Sequence, residues 1–445
     1  MAAGEPSSLH IAGPARRLTP RQVAATPAGR KIGVGRKGGR LTDGLVIVGA
    51  GQAGFALAAK LRALKDERPI TLVGAEDVPP YQRPPLSKKY LMGEMEFDRL
   101  TFRPAGWYAD HHVDLRLSAQ VERIDRAARR ILLQDGSSLA YGTLVLATGA
   151  SPRTLPASVG GGLEGVHLMR DKRDADALAH EMRPGRRLLV IGGGYIGLEA
   201  AAVARHLGVE VTLIEMADRI LSRVASARTA EIIRTVHLQH GVAIREGTGL
   251  ARLLGRDGRV CGAELSDGSV IDVDFAIIGI GVTPNDRLAR ECGLDVGNGV
   301  LVDAFGRTSD PSIYAAGDCT LLSWKGTRIR LESVQNAVDQ AEAIAGVLAG
   351  GGAPYDPKPW SWSDQYDLKL QIAGFNLGYD ETLVRPGMRE GSVSIWYFRE
   401  GRFVAVDAVN DAKAYVTGKK LLDMGLEPDR VILVDPAADL KQLLS

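Results

Sequence analysis

Two parallel-sheet α/β units followed by a smaller α+β domain are predicted by three observations on this sequence. An apolar run ends in a glycine cluster and passes into an alanine- and leucine-rich stretch of helical period. The same arrangement recurs in the middle of the chain, and the last 85 or so residues carry period-two alternation instead.

In the first unit Leu45-Val46-Ile47-Val48 leads into Gly49-Ala50-Gly51-Gln52-Ala53-Gly54. Leu57, Leu61 and Leu64 recur at helical spacing, and the charged stretch 65–68 with Pro69 closes the helix before the strand Ile70-Thr71-Leu72-Val73. In the second, Leu188-Leu189-Val190-Ile191 leads into Gly192-Gly193-Gly194-Tyr195-Ile196-Gly197, a helix to Leu207, Gly208 as its stop, and a strand over 209–214. Apolar strands ending at Ala147-Thr148-Gly149 and at Gly279-Ile280-Gly281 are each expected to extend the sheet of the unit before them. The Gly- and Pro-rich stretch 349–359 reads as a linker, and the alternation over 392–398, the turn Glu400-Gly401 and the run 402–406 read as a hairpin. The expected organisation is a basic, disordered extension over 1–43, one dinucleotide-binding domain over 44–152 and 273–350, a second over 153–272, and a C-terminal domain over 355–445.

Glycines spaced G-x-G-x-x-G between a strand and a helix have a physical use. The first makes the tight turn, the second lets backbone approach a pyrophosphate at the helix N-terminus, and the third lets helix pack on strand. An acid at the end of the following strand then accepts hydrogen bonds from the ribose. Glu215 meets this test in the second unit and favours NADH, because its carboxylate repels a 2′-phosphate; Arg219 pulls the other way. In the first unit Ala75 occupies the expected position and Glu76 is the adjacent acid. Two Rossmann-type sites on one chain imply a resident carrier and a diffusing donor, for which FAD with NADH, less readily NADPH, is the usual pairing. Gly317-Asp318, closing Ser312-Ile313-Tyr314-Ala315-Ala316, fits a carboxylate aimed at a flavin ribityl chain.

Composition narrows the rest. The formal charge is +2, but residues 1–43 hold eight Lys/Arg against Glu5 and Asp43, so the remaining chain is slightly acidic. That argues against nucleic acid as partner, which needs a basic face. Cys261, Cys292 and Cys319 form neither a disulfide framework nor a zinc site, and the eight histidines show no metal spacing, His111-His112 and His237 with His240 reading as surface pairs. No apolar run is long enough for a membrane helix, so a cytoplasmic location is expected; the Arg-rich start is too rich in Gly and Pro for an amphipathic transit peptide.

With these residues in view, the chain resembles the FAD-dependent ferredoxin reductases of cytochrome P450 and aromatic-ring dioxygenase systems, the family of putidaredoxin and rhodocoxin reductases. The resemblance runs roughly from Leu45 to Leu422 and implies a glutathione-reductase-like flavoprotein fold. Its most specific stretch is Pro80-Tyr81-Gln82-Arg83-Pro84-Pro85-Leu86-Ser87-Lys88, where the family sets a basic pair, here Arg83 and Lys88, on FAD. Glu332-Ser333-Val334-Gln335-Asn336-Ala337, Trp362-Ser363-Asp364-Gln365-Tyr366 and Gly197-Leu198-Glu199 are also similar; by that similarity Val334 and Trp362 line the flavin and Glu199 orients the nicotinamide. From residue type alone, Trp362 would be a core aromatic and Glu199 a surface helix residue. Asn410-Asp411-Ala412-Lys413, where relatives often carry a basic run with proline, and Ala75 depart from the pattern.

The implied reaction is hydride transfer from nicotinamide to flavin, which needs stacking rather than a general base. Lys88 and Glu199 are the polar residues expected at that point, and no metal is expected. Single electrons would then pass to a 2Fe-2S ferredoxin serving a P450 or a ring-hydroxylating dioxygenase, with the protein a monomer or weak dimer. Arg328, Arg330, Lys369 and Lys413 are the expected docking cations. The alternatives are an NADH oxidase or peroxidase, which would need a redox cysteine, and a binding flavoprotein of the apoptosis-inducing-factor kind, which would need a folded basic surface.

Overall fold

The computed structural model describes residues 44–444, and the extension expected over 1–43 lies outside them. The first unit is a five-stranded sheet ordered Ile313–Ala315, Thr143–Leu146, Leu45–Val48, Ile70–Val73, Val113–Arg116, with every pair parallel. Strands covered on both faces read as unbroken apolar runs, and the run 45–48 shows how the faces divide. Leu45 and Ile47 turn toward the helices Gln52–Ala63 and Val334–Leu348. Val46 and Val48 turn to the opposite core, which includes Val121, Ile124, Ile131 and Leu133 of a small antiparallel sheet.

The second unit repeats the plan, with parallel strands ordered Ala243–Arg245, Glu210–Ile214, Arg187–Ile191, Phe275–Ile278, Val166–His167. Leu188 and Val190 pack with the helix Tyr195–His206, while Leu189 and Ile191 pack with the antiparallel sheet over 250–272. Phe275–Ile278 pairs with Arg187–Ile191, so the boundary expected at 272/273 is corrected to a point past that strand. The return crossing is made by Val282–Pro284, which pairs antiparallel with the outgoing segment Ala150–Pro152.

The expected hairpin is present as Val393–Arg399 and Arg402–Val409. It forms the middle of a five-stranded antiparallel sheet with Trp360–Gln365, Leu368–Gly374 and Glu381–Pro386, backed by the helix Ala412–Met424. Leu368, Leu370 and Val409 of this sheet share a core with Leu198 of the second unit and with Leu86 of the first. Three parts of the chain therefore meet around the turn that carries Lys88. Among the described residues no helix is long and apolar enough to cross a membrane.

Candidate functional site

The two glycine turns have matching geometry. Gly49 adopts φ +116°, and a Cβ there would fall 2.1 Å from the Ala147 carbonyl oxygen; one on Gly54 would fall 1.9 Å from the Gly49 carbonyl oxygen. At Gly51, between them, a Cβ would meet nothing within 4 Å. The second turn repeats this: Gly192 at φ +107° is backed by the Gly279 carbonyl at 2.4 Å, Gly197 by the Gly192 carbonyl at 2.4 Å, and Gly194 faces open space. The first and third glycines are thus required by close backbone approach, while the second keeps a gap clear at a helix N-terminus. The helices Gln52–Ala63 and Tyr195–His206 start without a side-chain cap, so their first N–H groups have no side-chain partner of their own there. Such a cradle suits a pyrophosphate.

Around the first cradle the expected residues are engaged with one another. Glu76 Oε1 accepts from Arg83 Nη2 at 2.5 Å and its Oε2 from the Tyr81 hydroxyl at 2.6 Å. Glu76 and Arg83, expected to contact the cofactor separately, therefore form one ion-paired unit. Arg83 Nη1 also donates to the Arg170 carbonyl, and Arg170 Nη2 lies 3.3 Å from Asp318 Oδ2. Arg170 was not anticipated: the signal for it, a lone arginine after Met169, is no motif. Thr148 Oγ1 donates to the Asn285 carbonyl, and Gly317 N to Gln340 Oε1. Ala53 lies against Gly317, and Gly149 and Gly281 both adopt positive φ. Val334 begins the helix capped by Ser333, and Trp362 lies half-buried beside Trp360, ring centroids 5.6 Å apart.

At the second cradle Glu215 Oε2 accepts from Gly193 N at 2.7 Å and its Oε1 from Ala217 N at 2.8 Å, which fixes the carboxylate at the strand end. Arg219, which by position could turn toward a ribose phosphate, donates here to the carbonyls of Ile220, Ser222 and Ala225. Ile196 is 45% exposed at the mouth of this cradle, and the Tyr195 hydroxyl is buried without a partner.

Lys88 and Glu199, far apart in sequence, meet in the fold. Lys88 Nζ lies 2.6 Å from Glu199 Oε2, with the Glu199 side chain only 7% exposed, so the surface position suggested by residue type is corrected to a buried carboxylate paired with a partly buried lysine. Ser87 Oγ donates to the same oxygen at 3.1 Å and Ser363 Oγ to Oε1 at 2.7 Å. His237, expected at the surface, is fully buried and hydrogen-bonded to Gln365, because its helix packs on the C-terminal sheet.

Cys319 is fully buried and donates weakly to carbonyls of Leu146 and Ala316, and burial pushes its thiol pKa up. That environment is inert rather than redox-active. Among the expected docking cations, Arg328 and Lys369 are exposed, while Lys413 is exposed but paired with Asp439 at 2.8 Å. Arg330 is corrected: its side chain is 12% exposed and paired with Glu332. Among the described residues no group of three or more His, Cys, Asp or Glu could hold a metal.

Comparison with known proteins agrees with this architecture. A family model described as pyridine nucleotide-disulphide oxidoreductase matches residues 43–341, and one described as reductase C-terminal matches 360–444. A ferredoxin–NAD(P)+ reductase of Sphingomonas sp is 44% identical over 90% of this chain and 97% of its own length. Rhodocoxin reductase of Rhodococcus erythropolis is 43% identical over 89% and 93% respectively. Among solved structures, the covalent putidaredoxin reductase–putidaredoxin complex aligns with a TM-score of 0.87 and 37% identity, covering 90% of this chain and 98% of that one.

Proposed function

Because the chain belongs to the pyridine nucleotide-disulphide oxidoreductase family, we propose that it is an FAD-dependent ferredoxin reductase, taking electrons from NADH and passing them to a 2Fe-2S ferredoxin. The observation that carries this reading is the Lys88–Glu199 pair, its carboxylate buried, on a chain that holds two open glycine cradles, with Cys319 sealed in the core. FAD, when bound, supplies the conversion of a two-electron donor into single electrons.

This chain's own residues have distinct tasks. The backbone N–H groups at 51–54 and 194–197 bind two pyrophosphates, aided by the positive ends of their helices. The Glu76–Arg83 and Arg170–Asp318 pairs line the first site and present fixed charge to the FAD ribose, pyrophosphate and ribityl groups. Gln52, Ala53, Ala147, Thr148, Gly149 and Gly281 shape the backbone beside it, and Val334 and Trp362 would help hold the flavin. Glu215 accepts from the NADH ribose, and Ile196 gives the dinucleotide an apolar surface. Glu199 orients the nicotinamide carboxamide, and Lys88 compensates the charge of that carboxylate, so that stacking rather than proton transfer sets the reaction geometry.

For the partner, the alignment with a reductase solved in complex with putidaredoxin supports an acidic ferredoxin docking near exposed Arg328 and Lys369. A cytochrome P450 or ring-hydroxylating oxygenase would be the final acceptor, in the cytoplasm, where the three free cysteines stay reduced. Titrating the purified flavoprotein with NADH and with NADPH tests the donor site. Bleaching of the flavin band at much lower NADH than NADPH is expected, and Glu215→Ala should narrow that gap; equal response to both donors in the wild type would overturn the Glu215 assignment.

A further inference from the structure

Glu199 does not end its contacts at Lys88. On the side away from the lysine, Ser363 Oγ donates to Glu199 Oε1 at 2.7 Å, Gln365 Nε2 donates to Ser363 Oγ at 3.0 Å, and His237 Nε2 lies 2.7 Å from Gln365 Oε1. The Tyr366 hydroxyl lies 3.4 Å from His237 Nδ1. Every member up to His237 is buried, and the string runs from the helix Ala227–Gln239 through the C-terminal strand Trp360–Gln365 to the helix that bears Glu199.

Its polarity is fixed from one end. An ionised carboxylate only accepts, so the single Ser363 hydrogen must point at Glu199; Ser363 must then accept from the amide nitrogen of Gln365, and the amide oxygen must face His237. His237 Nε2 has to be the donor. We propose that Ser363, Gln365 and His237 are positioning residues, a one-way hydrogen-bond relay that fixes the Glu199 carboxylate beside the nicotinamide, with His237 locked as the neutral Nε2–H tautomer. This rests on the reading of Glu199 as the nicotinamide-side carboxylate. Burial pushes the His237 pKa down to about 4; the Gln365 hydrogen bond opposes that fall and nearby His240 adds to it. Besides His240, which stacks on Tyr366, the groups facing this end are the Tyr366 hydroxyl and, beyond it, Arg205. Tyr366 caps Nδ1 as a donor, which is the same tautomer seen from the other nitrogen.

Two measurements test the relay. The first is 15N NMR of the histidines in the wild-type holoprotein, with His237 assigned from His237→Asn. The expected result is an Nε2–H tautomer unchanged across the near-neutral range; an Nδ1–H tautomer, or titration like a free histidine, overturns the proposal whatever the enzyme's activity. The second is Gln365→Glu. A protonated glutamic acid reproduces both bonds, its O–H to Ser363 and its C=O from His237, whereas the carboxylate can only accept and turns the Ser363 hydrogen away from Glu199. The limiting rate of flavin reduction by NADH should therefore fall about tenfold with rising pH in this variant, with no such step in the wild type. A profile identical to wild type overturns the relay. Should that variant not fold, Ser363→Ala removes one donor only, and unchanged reduction kinetics there would refute it equally. Failure of the wild type to be reduced by NADH would instead remove the proposed function, leaving the tautomer result to stand or fall separately.

Discussion

Replacing Gly194 with alanine separates the binding role of a glycine from its folding role. Gly194 has φ −80° and ψ 172°, an extended conformation open to any residue, and its Cβ would meet nothing. The folded protein should therefore change by no more than about 0.5 kcal/mol. The methyl group would occupy the gap left for a pyrophosphate, and NADH affinity should drop at least tenfold, or ~1.4 kcal/mol. Gly197→Ala is the control. Its Cβ would sit 2.4 Å from the Gly192 carbonyl and 3.2 Å from Val190 Cγ1, and Gly192 cannot retreat because it is itself against the Gly279 carbonyl. Overpacking of this kind costs about 1–3 kcal/mol, of which helix propensity returns less than about 1. Thermal unfolding of both variants, with NADH titration followed by protein fluorescence, gives the comparison. Wild-type NADH affinity in Gly194→Ala, or a Tm loss as large as that of Gly197→Ala, would refute the cradle.

Asp407 is fully buried, with Oδ2 accepting from Thr229 and Tyr397 and Oδ1 unpartnered among the described residues; burial pushes its pKa up from 3.8 to about 6, against the pull of the two hydroxyls. Between those two values the folded state holds a proton that the unfolded state has lost, so stability falls as pH rises through that window and stays lower above it, by about 3 kcal/mol. Asp407→Asn should flatten this dependence and raise Tm at pH 8; an unchanged pH profile would show that Asp407 is not ionising in the fold. Alkylation of the folded holoprotein should leave Cys319 unmodified, and Cys319→Ala should keep NADH-dependent flavin reduction within about twofold, since buried small-residue packing is all that changes; loss of reduction would revive thiol chemistry. Lys369→Glu should slow ferredoxin-dependent turnover, increasingly so at low salt, while ferricyanide reduction is unaffected. Equal loss with both acceptors would exclude that docking face.

The parts of the fold legible in the sequence were those governed by local rules. Continuous apolar runs buried on both faces, and glycines whose spacing is dictated by backbone contact, mark both parallel sheets and both cradles without reference to distant residues. The run 275–278 is read from the sequence as a strand of the second unit, and its pairing with Arg187–Ile191 bears that out; the boundary at 272/273 contradicts that placement and belongs past the strand. Side-chain partnerships were the least visible. Lys88 and Glu199 carry the resemblance singly, yet their pairing, and the string from Ser363 to His237, arise from three segments converging on one core, a tertiary event with no periodic trace. Arg330 illustrates the converse. It sits in a polar stretch and reads as exposed, but its side chain is 12% exposed and paired with Glu332, a packing that the local pattern does not show.

The most direct test of the central claim is stopped-flow reduction of the flavin by NADH, followed by mixing with an oxidised 2Fe-2S ferredoxin and cytochrome c. Rapid bleaching of the flavin band and cytochrome c reduction that depends on added ferredoxin are predicted. Rapid bleaching with no ferredoxin-dependent reduction would contradict the account, leaving a flavoprotein whose electrons go elsewhere.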